Sequence, residues 1–219
     1  MTAVAALLVL GGLALFWSAM LLAAAVNPAY SHRRDYLSTL ASHGAEHGWL
    51  GVMAIAAAAA SMLAAGVVVR PLSRVAASAI VLAGVGFLVV SFTRLDCPNG
   101  AASCGLGGRF AISGSTEIAH WTATTVATTL LVTGIAVTGL ALLRARRTVA
   151  GLLTVTAAAA TVGAFLATGG QTPGEEQRAG VVVGTSWLAA VALAALVRAR
   201  SASAPAEAVG RPRTSRPEI

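Results

Sequence analysis

Residues 3–26 have the sequence AVAALLVLGGLALFWSAMLLAAAV, a predominantly apolar stretch without one charged side chain. About 20 apolar residues, rising about 1.5 Å each, are enough to cross the hydrocarbon core of a bilayer. The stretch ends at Asn27-Pro28, where the proline disfavours helical geometry in the residue before it. It lacks a basic start and is longer than the apolar core of about 7–15 residues in a signal peptide, so we predict a retained membrane-spanning helix.

Five further stretches have the same character. They predict spans at about residues 49–69, 75–93, 118–143, 149–168 and 179–197. The chain is 57% hydrophobic and 11% charged, whereas a soluble domain has about 25% charged residues. We therefore predict an all-α fold, a six-transmembrane-helix bundle over residues 1–200, followed by a disordered, Pro/Ser/Arg-rich tail at 201–219.

The positive charges predict an orientation. The 15 basic residues are all arginine and give a net charge of +7, but they are scattered between apolar stretches, which argues against a nucleic-acid partner. Ten of them lie in the tail and in the connections after the second and fourth spans. The positive-inside rule places these regions and both termini in the cytoplasm. We expect a multi-pass protein of the bacterial cytoplasmic membrane, surrounded by lipids; a protein partner or a homo-oligomer is left open.

Polar chemistry is concentrated on the opposite side. All four histidines and six of the eight acids fall there, among them Asp35, Asp96 and His120. Loops held by a rigid scaffold often carry function, so these residues and Arg178 predict one outward-facing polar site. In an enzyme, His120 would be the general base, oriented by an aspartate. Arg34 and Arg94 are candidates for holding an anionic head group, or they simply tie loops together. The sequence leaves open whether the protein is catalytic.

Cys97 and Cys104 are the two cysteines, and both follow the third span. In an oxidising compartment this short spacing favours a disulfide bond. A pair of metal-binding thiolates is the alternative, which would need further ligands.

The segment from His43 to His47 matches the pattern H-x-x-E-H of a class of zinc peptidases. On a helix both histidines would project from one face, and Glu117, three residues before His120, could add a ligand. The simpler interpretation is a set of interfacial residues that cap helix ends. We predict no cofactor, and a metal is not favoured.

The fourth span is rich in threonine, at positions 122, 124, 125, 128, 129 and 133. These hydroxyls could line a polar groove, although such side chains often bond to carbonyls of their own helix. No span has an ionisable residue near its midpoint, which argues against a proton-relay pump or an ion-coupled transporter.

The order of these motifs resembles a known family. The resemblance rests on four motifs: the stretch NPAYSHRRDYLS at 27–38, Asp96-Cys97-Pro98 after the third span, His120 in the fourth span and Gln177-Arg178 at the start of the sixth. They resemble the six-span bacterial and archaeal membrane proteins catalogued as domain of unknown function 998. The resemblance implies a six-helix bundle without a known activity. It also implies importance for Pro28 and for a set of polar residues: Asn27, Ser31, Asp35, Ser38, Asp96, His120, Gln177 and Arg178.

Our hypothesis from the sequence is an integral membrane protein that binds or processes a lipid head group or a similar amphiphile at its outer face. A noncatalytic scaffold or accessory subunit is the alternative. A small-solute transporter and a metal-dependent membrane hydrolase rank below these two.

Overall fold

The computed structural model describes residues 2–96, 114–168 and 171–203, and within these ranges the protein is helical, with no β-strand. The six long helices are α1 (Thr2–Ala25), α2 (Gly48–Val69), α3 (Arg74–Phe92), α4 (Ser115–Arg144), α5 (Thr148–Ala167) and α6 (Pro173–Ser203). All six are long and apolar enough to cross a membrane. The predicted all-α, six-span fold is confirmed.

The helix ends differ from the ends of the spans predicted from the apolar stretches. Helix α6 begins at Pro173, well before the predicted residue 179. Proline suits the first helical turn, and Glu175 and Glu176 complement the positive end of the helix. Helix α4 likewise extends beyond its apolar centre at both ends. Residues 204–219 of the predicted tail, together with Cys97 and Cys104 of the predicted disulfide, lie outside the described residues.

The helices form a ring in chain order. Each packs against the next, α6 closes the ring against α1, and α6 also touches α2. Because consecutive helices alternate in direction, one end of the bundle gathers the connections that are rich in arginine. We call this the arginine-rich end; its described arginines are Arg70, Arg74, Arg144, Arg146, Arg147, Arg198 and Arg200. The other end, which carries the segment from Val26 to His47, is called the loop end.

Small residues allow close contact between helices. Ser61 on α2 donates a hydrogen bond to the Val9 carbonyl of α1 at 3.2 Å. A methyl group added at Gly84 of α3 would lie 3.0 Å from the Ala59 carbonyl. Large apolar side chains are exposed on the outside, for example Leu166, which is 80% exposed. Such a surface fits lipid and not water, so the chain is a multi-pass membrane protein.

A short 3-10 helix, Leu37–Ala41, enters the loop end of the bundle. Leu37 and Leu40 are buried in the apolar core between α1 and α2. The 3-10 helix lies so close to α2 that a methyl group at Gly51 would be 2.6 Å from the Leu40 carbonyl. The loop between α1 and α2 is therefore part of the packed structure and fixes the residues around it.

Candidate functional site

Asn27 joins the two ends of the loop between α1 and α2. Its side-chain amide donates to the Ala23 carbonyl at 2.7 Å and to the Glu46 carbonyl at 2.8 Å. Its side-chain oxygen accepts a bond of 2.7 Å from the Glu46 N–H. An amide is needed here because it supplies donors and an acceptor together. Asn27, a predicted ligand-binding residue, thus contacts protein groups.

Asp35 closes a turn with Ser31. Its carboxylate accepts a bond of 2.6 Å from the Ser31 N–H, and its own N–H donates to the Ser31 carbonyl at 2.9 Å. The Asp35 side chain is buried. A buried carboxylate must be compensated, and this backbone bond supplies part of that compensation. The two residues hold the loop in shape ahead of the 3-10 helix.

Arg178, near the start of α6, connects that helix to the loop. Its guanidinium donates to the His32 carbonyl and to the Tyr30 hydroxyl, and at 3.2 Å to the Asp35 carbonyl. It also lies over the Tyr30 ring, 5.3 Å from the ring centre. Burial raises the pKa of the Tyr30 phenol above its ordinary value, and Arg178 opposes that rise. At neutral pH Tyr30 is therefore an uncharged acceptor for the arginine.

The surface around this contact carries two further arginines. Arg33 pairs with Glu175 of α6 at 3.2 Å, with both side chains largely exposed. Arg34, a predicted anion ligand, is exposed. The structure thus brings Asp35 and Arg178 together, and the Arg178 guanidinium donates its hydrogen bonds to oxygen atoms of the protein.

Gln177 reaches from α6 to the 3-10 helix. Its side-chain oxygen accepts a bond of 2.7 Å from the Leu37 N–H, which begins the 3-10 helix and needs a partner. Ser38, the next residue, lines an interior cavity that Gln177 also lines. These two predicted ligand residues therefore meet at one cavity.

Arg94 secures the other end of the 3-10 helix. It donates to the Ala41 carbonyl at 2.7 Å and to the Ser42 carbonyl at 2.9 Å. These are carbonyls that the end of a helix leaves without partners inside the helix. Arg94 thus supports the interpretation in which an arginine ties loops together. Asp96, two residues later, is exposed.

His120 is buried near the start of α4. Its Nδ1 lies 2.6 Å from the Thr93 carbonyl, so Nδ1 carries the proton and Nε2 is the acceptor of the neutral ring. Nε2 is buried and has no hydrogen-bond partner among the described residues. The expectation that an aspartate orients His120 is corrected: the Thr93 backbone carbonyl does so, because the end of α3 lies beside the ring.

The segment from His43 to His47 consists of turns, so its histidines do not have the helical spacing that the zinc-peptidase pattern requires. Both histidines are exposed, and His47 has a left-handed backbone with φ of 50°. Glu117 lies in the first turn of α4. Within residues 2–96, 114–168 and 171–203, no three histidine or acidic side chains are grouped so that they could hold a metal ion.

Two cavities lie below the loop end. The first, which we call the threonine groove, has a volume of about 400 Å³ and lies between α4 and α5. Tyr36, Trp121 and Gln177 are at its loop end, and the Tyr36 and Trp121 rings are 5.6 Å apart. Burial raises the pKa of the Tyr36 phenol. The threonines that line it are Thr124, Thr125, Thr128, Thr129, Thr133 and Thr168.

The second, which we call the inner cavity, has a volume of about 90 Å³ and lies inside the bundle. Its walls are largely apolar, with Phe16 and Phe87 among them, and it shares Thr124, Thr128 and Gln177 with the threonine groove. The two cavities therefore adjoin each other. Asp35, Asp96, His120 and Arg178 line neither of them. The four residues expected to form one site do not share either cavity.

The threonines differ in hydrogen bonding. Thr129 and Thr133 donate to carbonyls of their own helix at 2.8 Å. The hydroxyls of Thr124 and Thr128 are buried and have no partner among the described residues. The signal for these residues was the threonine pattern of the fourth span, but the pattern does not show which hydroxyls bond to the helix. Tyr36, Trp121 and the cavity beside them were not predicted as a binding site.

Among the comparisons with known proteins, the match is to a family. The family model described as "Protein of unknown function (DUF998)" matches residues 9–194. No curated protein and no solved structure matches the chain.

Proposed function

Since the chain belongs to the family described as protein of unknown function (DUF998), we propose a function from its own cavities: it binds a lipid-like amphiphile that enters the threonine groove from the bilayer. The polar part of the amphiphile lies beside Gln177 and Trp121. Its apolar chain extends toward the inner cavity. This proposal rests on binding alone and assigns no reaction.

The observation that carries the proposal is the pair of hydroxyls on Thr124 and Thr128. Buried polar groups in proteins are almost always hydrogen-bonded, and a buried group without a partner costs about 1–3 kcal/mol. Both hydroxyls lie where the threonine groove adjoins the inner cavity. A bound molecule that offers an oxygen at this point would supply the missing partner.

The walls indicate an uncharged polar group. Hydroxyl, phenol, indole and amide groups line the threonine groove, and no charged side chain lines either cavity among the described residues. An isolated charge would be costly there. Ester and hydroxyl groups, such as those that join the head group of a lipid to its chains, fit these donors and acceptors. The groove's volume of about 400 Å³ is within the range of small-molecule sites, which is about 300–1,000 Å³.

The test compares the lipid that remains on the purified protein between variants. Gly184 lines the inner cavity, and a methyl group there would have one neighbour within 4 Å, a Leu131 methyl at 3.8 Å. The Cβ of Gly184→Val therefore meets no clash, and we expect its two further methyl groups to reduce the cavity volume. We expect less amphiphile per protein in mass spectrometry of extracts after purification in mild detergent. The double variant T124V/T128V removes the two hydroxyls and should have the same effect.

The matched control is T116V/T122V, which makes the same change at two exposed threonines of α4. It should retain the wild-type amount of amphiphile. If Gly184→Val raised the melting temperature and left the retained lipid unchanged, the inner cavity would be a packing void and the proposal would be wrong. Loss of a co-purifying protein from T124V/T128V, with unchanged lipid, would favour the scaffold alternative.

A further inference from the structure

A third and larger cavity lies near the opposite end of the bundle. It is a groove of about 770 Å³ between α4, α5 and α6, with Arg147 and Arg198 among its lining residues. We call it the basic groove. We propose that it binds an anionic phospholipid from the leaflet that faces the arginine-rich end. This site is separate from the threonine groove and does not depend on the function proposed there.

The body of the basic groove suits an acyl chain. Leucine, valine and alanine side chains of the three helices form most of its walls, among them Leu153 and Val191. The polar groups of its buried lining residues have partners inside the protein: Thr138 donates to the Gly134 carbonyl at 2.7 Å, and Trp187 donates to the Thr154 hydroxyl at 3.4 Å. Unlike the threonine groove, the basic groove has among its described residues no buried hydroxyl without a hydrogen-bond partner.

The basic groove is also long enough for such a chain. Along α6 its lining runs from Arg198 to Val182. Sixteen residues at 1.5 Å each give about 24 Å, which exceeds half of a hydrocarbon core about 30 Å thick. A whole acyl chain of one leaflet can therefore lie in it. The α5 wall belongs to the least buried of the six spans, so the groove is open toward the bilayer.

The two arginines at its end provide the charge for an anion. They come from different helices, and they are the only described arginines of the arginine-rich end that line the groove. Arg147 precedes α5 and makes no side-chain capping bond, and Arg198 uses its Nε on the Ala194 carbonyl at 3.1 Å. The remaining N–H groups of both forks are free to bind phosphate oxygens. No acidic side chain lines the groove among the described residues.

The same charges argue against a second copy of the chain as the occupant. Most homodimers are two-fold symmetric, so the same patch of both subunits would meet across the interface. Two arginines from each copy would then approach one another without an acid in the groove to compensate them, and like charges at an interface are unfavourable. An anionic phospholipid supplies the opposite charge and an apolar chain together.

The experiment measures lipid binding to the purified full chain by native mass spectrometry. The probes are dioleoyl phosphatidylglycerol, which is anionic, and dioleoyl phosphatidylcholine, which has the same chains and no net charge. We expect the wild type to bind the anionic lipid more tightly. The variant R147A/R198A should lose about tenfold or more of that affinity, because it removes two basic residues that attract the charged lipid. Its affinity for phosphatidylcholine should not change.

Two further variants distinguish the basic groove from the rest of the arginine-rich end. R70A/R74A removes the same charge from the same end at residues that do not line the groove, and it should bind like the wild type. Ala190 lines the groove from an exposed position, so Ala190→Trp fills it and should weaken binding of the anionic lipid without unfolding the protein. Equal loss in R70A/R74A and R147A/R198A would mean attraction to the whole arginine-rich end and would overturn the proposal. The proposal would also be overturned if the wild type were a dimer and Ala190→Trp dissociated it without changing the binding of phosphatidylglycerol.

Discussion

Arg178 is the side chain on which the loop end depends most. It contacts three oxygens of the loop from α6. We expect Arg178→Ala to lower the free energy of unfolding by about 2–3 kcal/mol, because hydrogen bonds to a charged group are worth about 1.5–3 kcal/mol and the acceptors lose their partner. Arg178→Lys should recover only part of this, since an ammonium lacks the planar fork. Thermal unfolding in detergent measures the effect.

Arg34→Ala is the control for this prediction, because Arg34 belongs to the same loop and is exposed. Its melting temperature should equal that of the wild type. If Arg178→Ala were as stable as Arg34→Ala while binding less amphiphile, then Arg178 would act on the ligand and not on the loop.

At the scale of the residue, the sequence indicated which side chains matter but not what they contact. Asn27, Gln177 and Arg178 stand in the motifs that carry the family resemblance, and each makes hydrogen bonds across the loop end. A polar side chain that binds a ligand and one that binds a distant carbonyl look alike in one sequence. The partner depends on which helix lies beside it, and that is a property of packing.

The position of α6 against the loop depends on one glycine at the start of the helix, Gly174. A methyl group at Gly174 would lie 2.6 Å from the Asp35 carbonyl and 2.8 Å from the His32 carbonyl. These are backbone atoms that cannot move alone, so Gly174→Ala must push α6 away from the loop. We expect a loss of about 1–3 kcal/mol, as for other overpacked sites. The melting temperature in detergent and the amount of retained amphiphile should both fall.

Gly163 provides the matched control for that substitution. It lies in α5, and a methyl group there would have no neighbour within 4 Å. Gly163→Ala should be neutral or stabilising by up to about 1 kcal/mol, because alanine is the better helix former. A destabilisation of equal size at both glycines would indicate a general effect of losing glycine and would contradict the steric argument.

The helices could be predicted at the scale of the element, whereas the 3-10 helix could not. A hydrocarbon-spanning helix is recognisable by a long apolar stretch, since most side chains in the bilayer are apolar and the backbone groups bond within the helix. The 3-10 helix Leu37–Ala41 is five residues long, which is too short to show a period. It is stabilised by Gln177 and Arg94, both distant in sequence.

The whole molecule combines a fold that was predictable with an arrangement that was not. Apolar stretches define six spans, and their even number places the start of α1 and the end of α6 at the same end of the bundle. Which helices are neighbours follows from side-chain packing between distant segments, such as the contact of Trp17 on α1 with Thr185 on α6 at 3.3 Å. The three cavities depend on those neighbours. This is why the sequence predicted a site among the loop acids, whereas the site that we propose lies between α4 and α5.

The orientation of the whole molecule in the membrane follows from its charges and is open to direct test. The arginine-rich end holds seven described arginines, whereas acids accompany the arginines of the loop end. By the positive-inside rule we expect the arginine-rich end to face the cytoplasm. Alkaline phosphatase, which is active only outside the cytoplasm, should be inactive when fused after Ser203 and active when fused after Asp96. Green fluorescent protein at the same two points should give the reverse pattern. Active phosphatase after Ser203 with inactive phosphatase after Asp96 would invert the topology, and the lipid in the basic groove would then come from the outer leaflet.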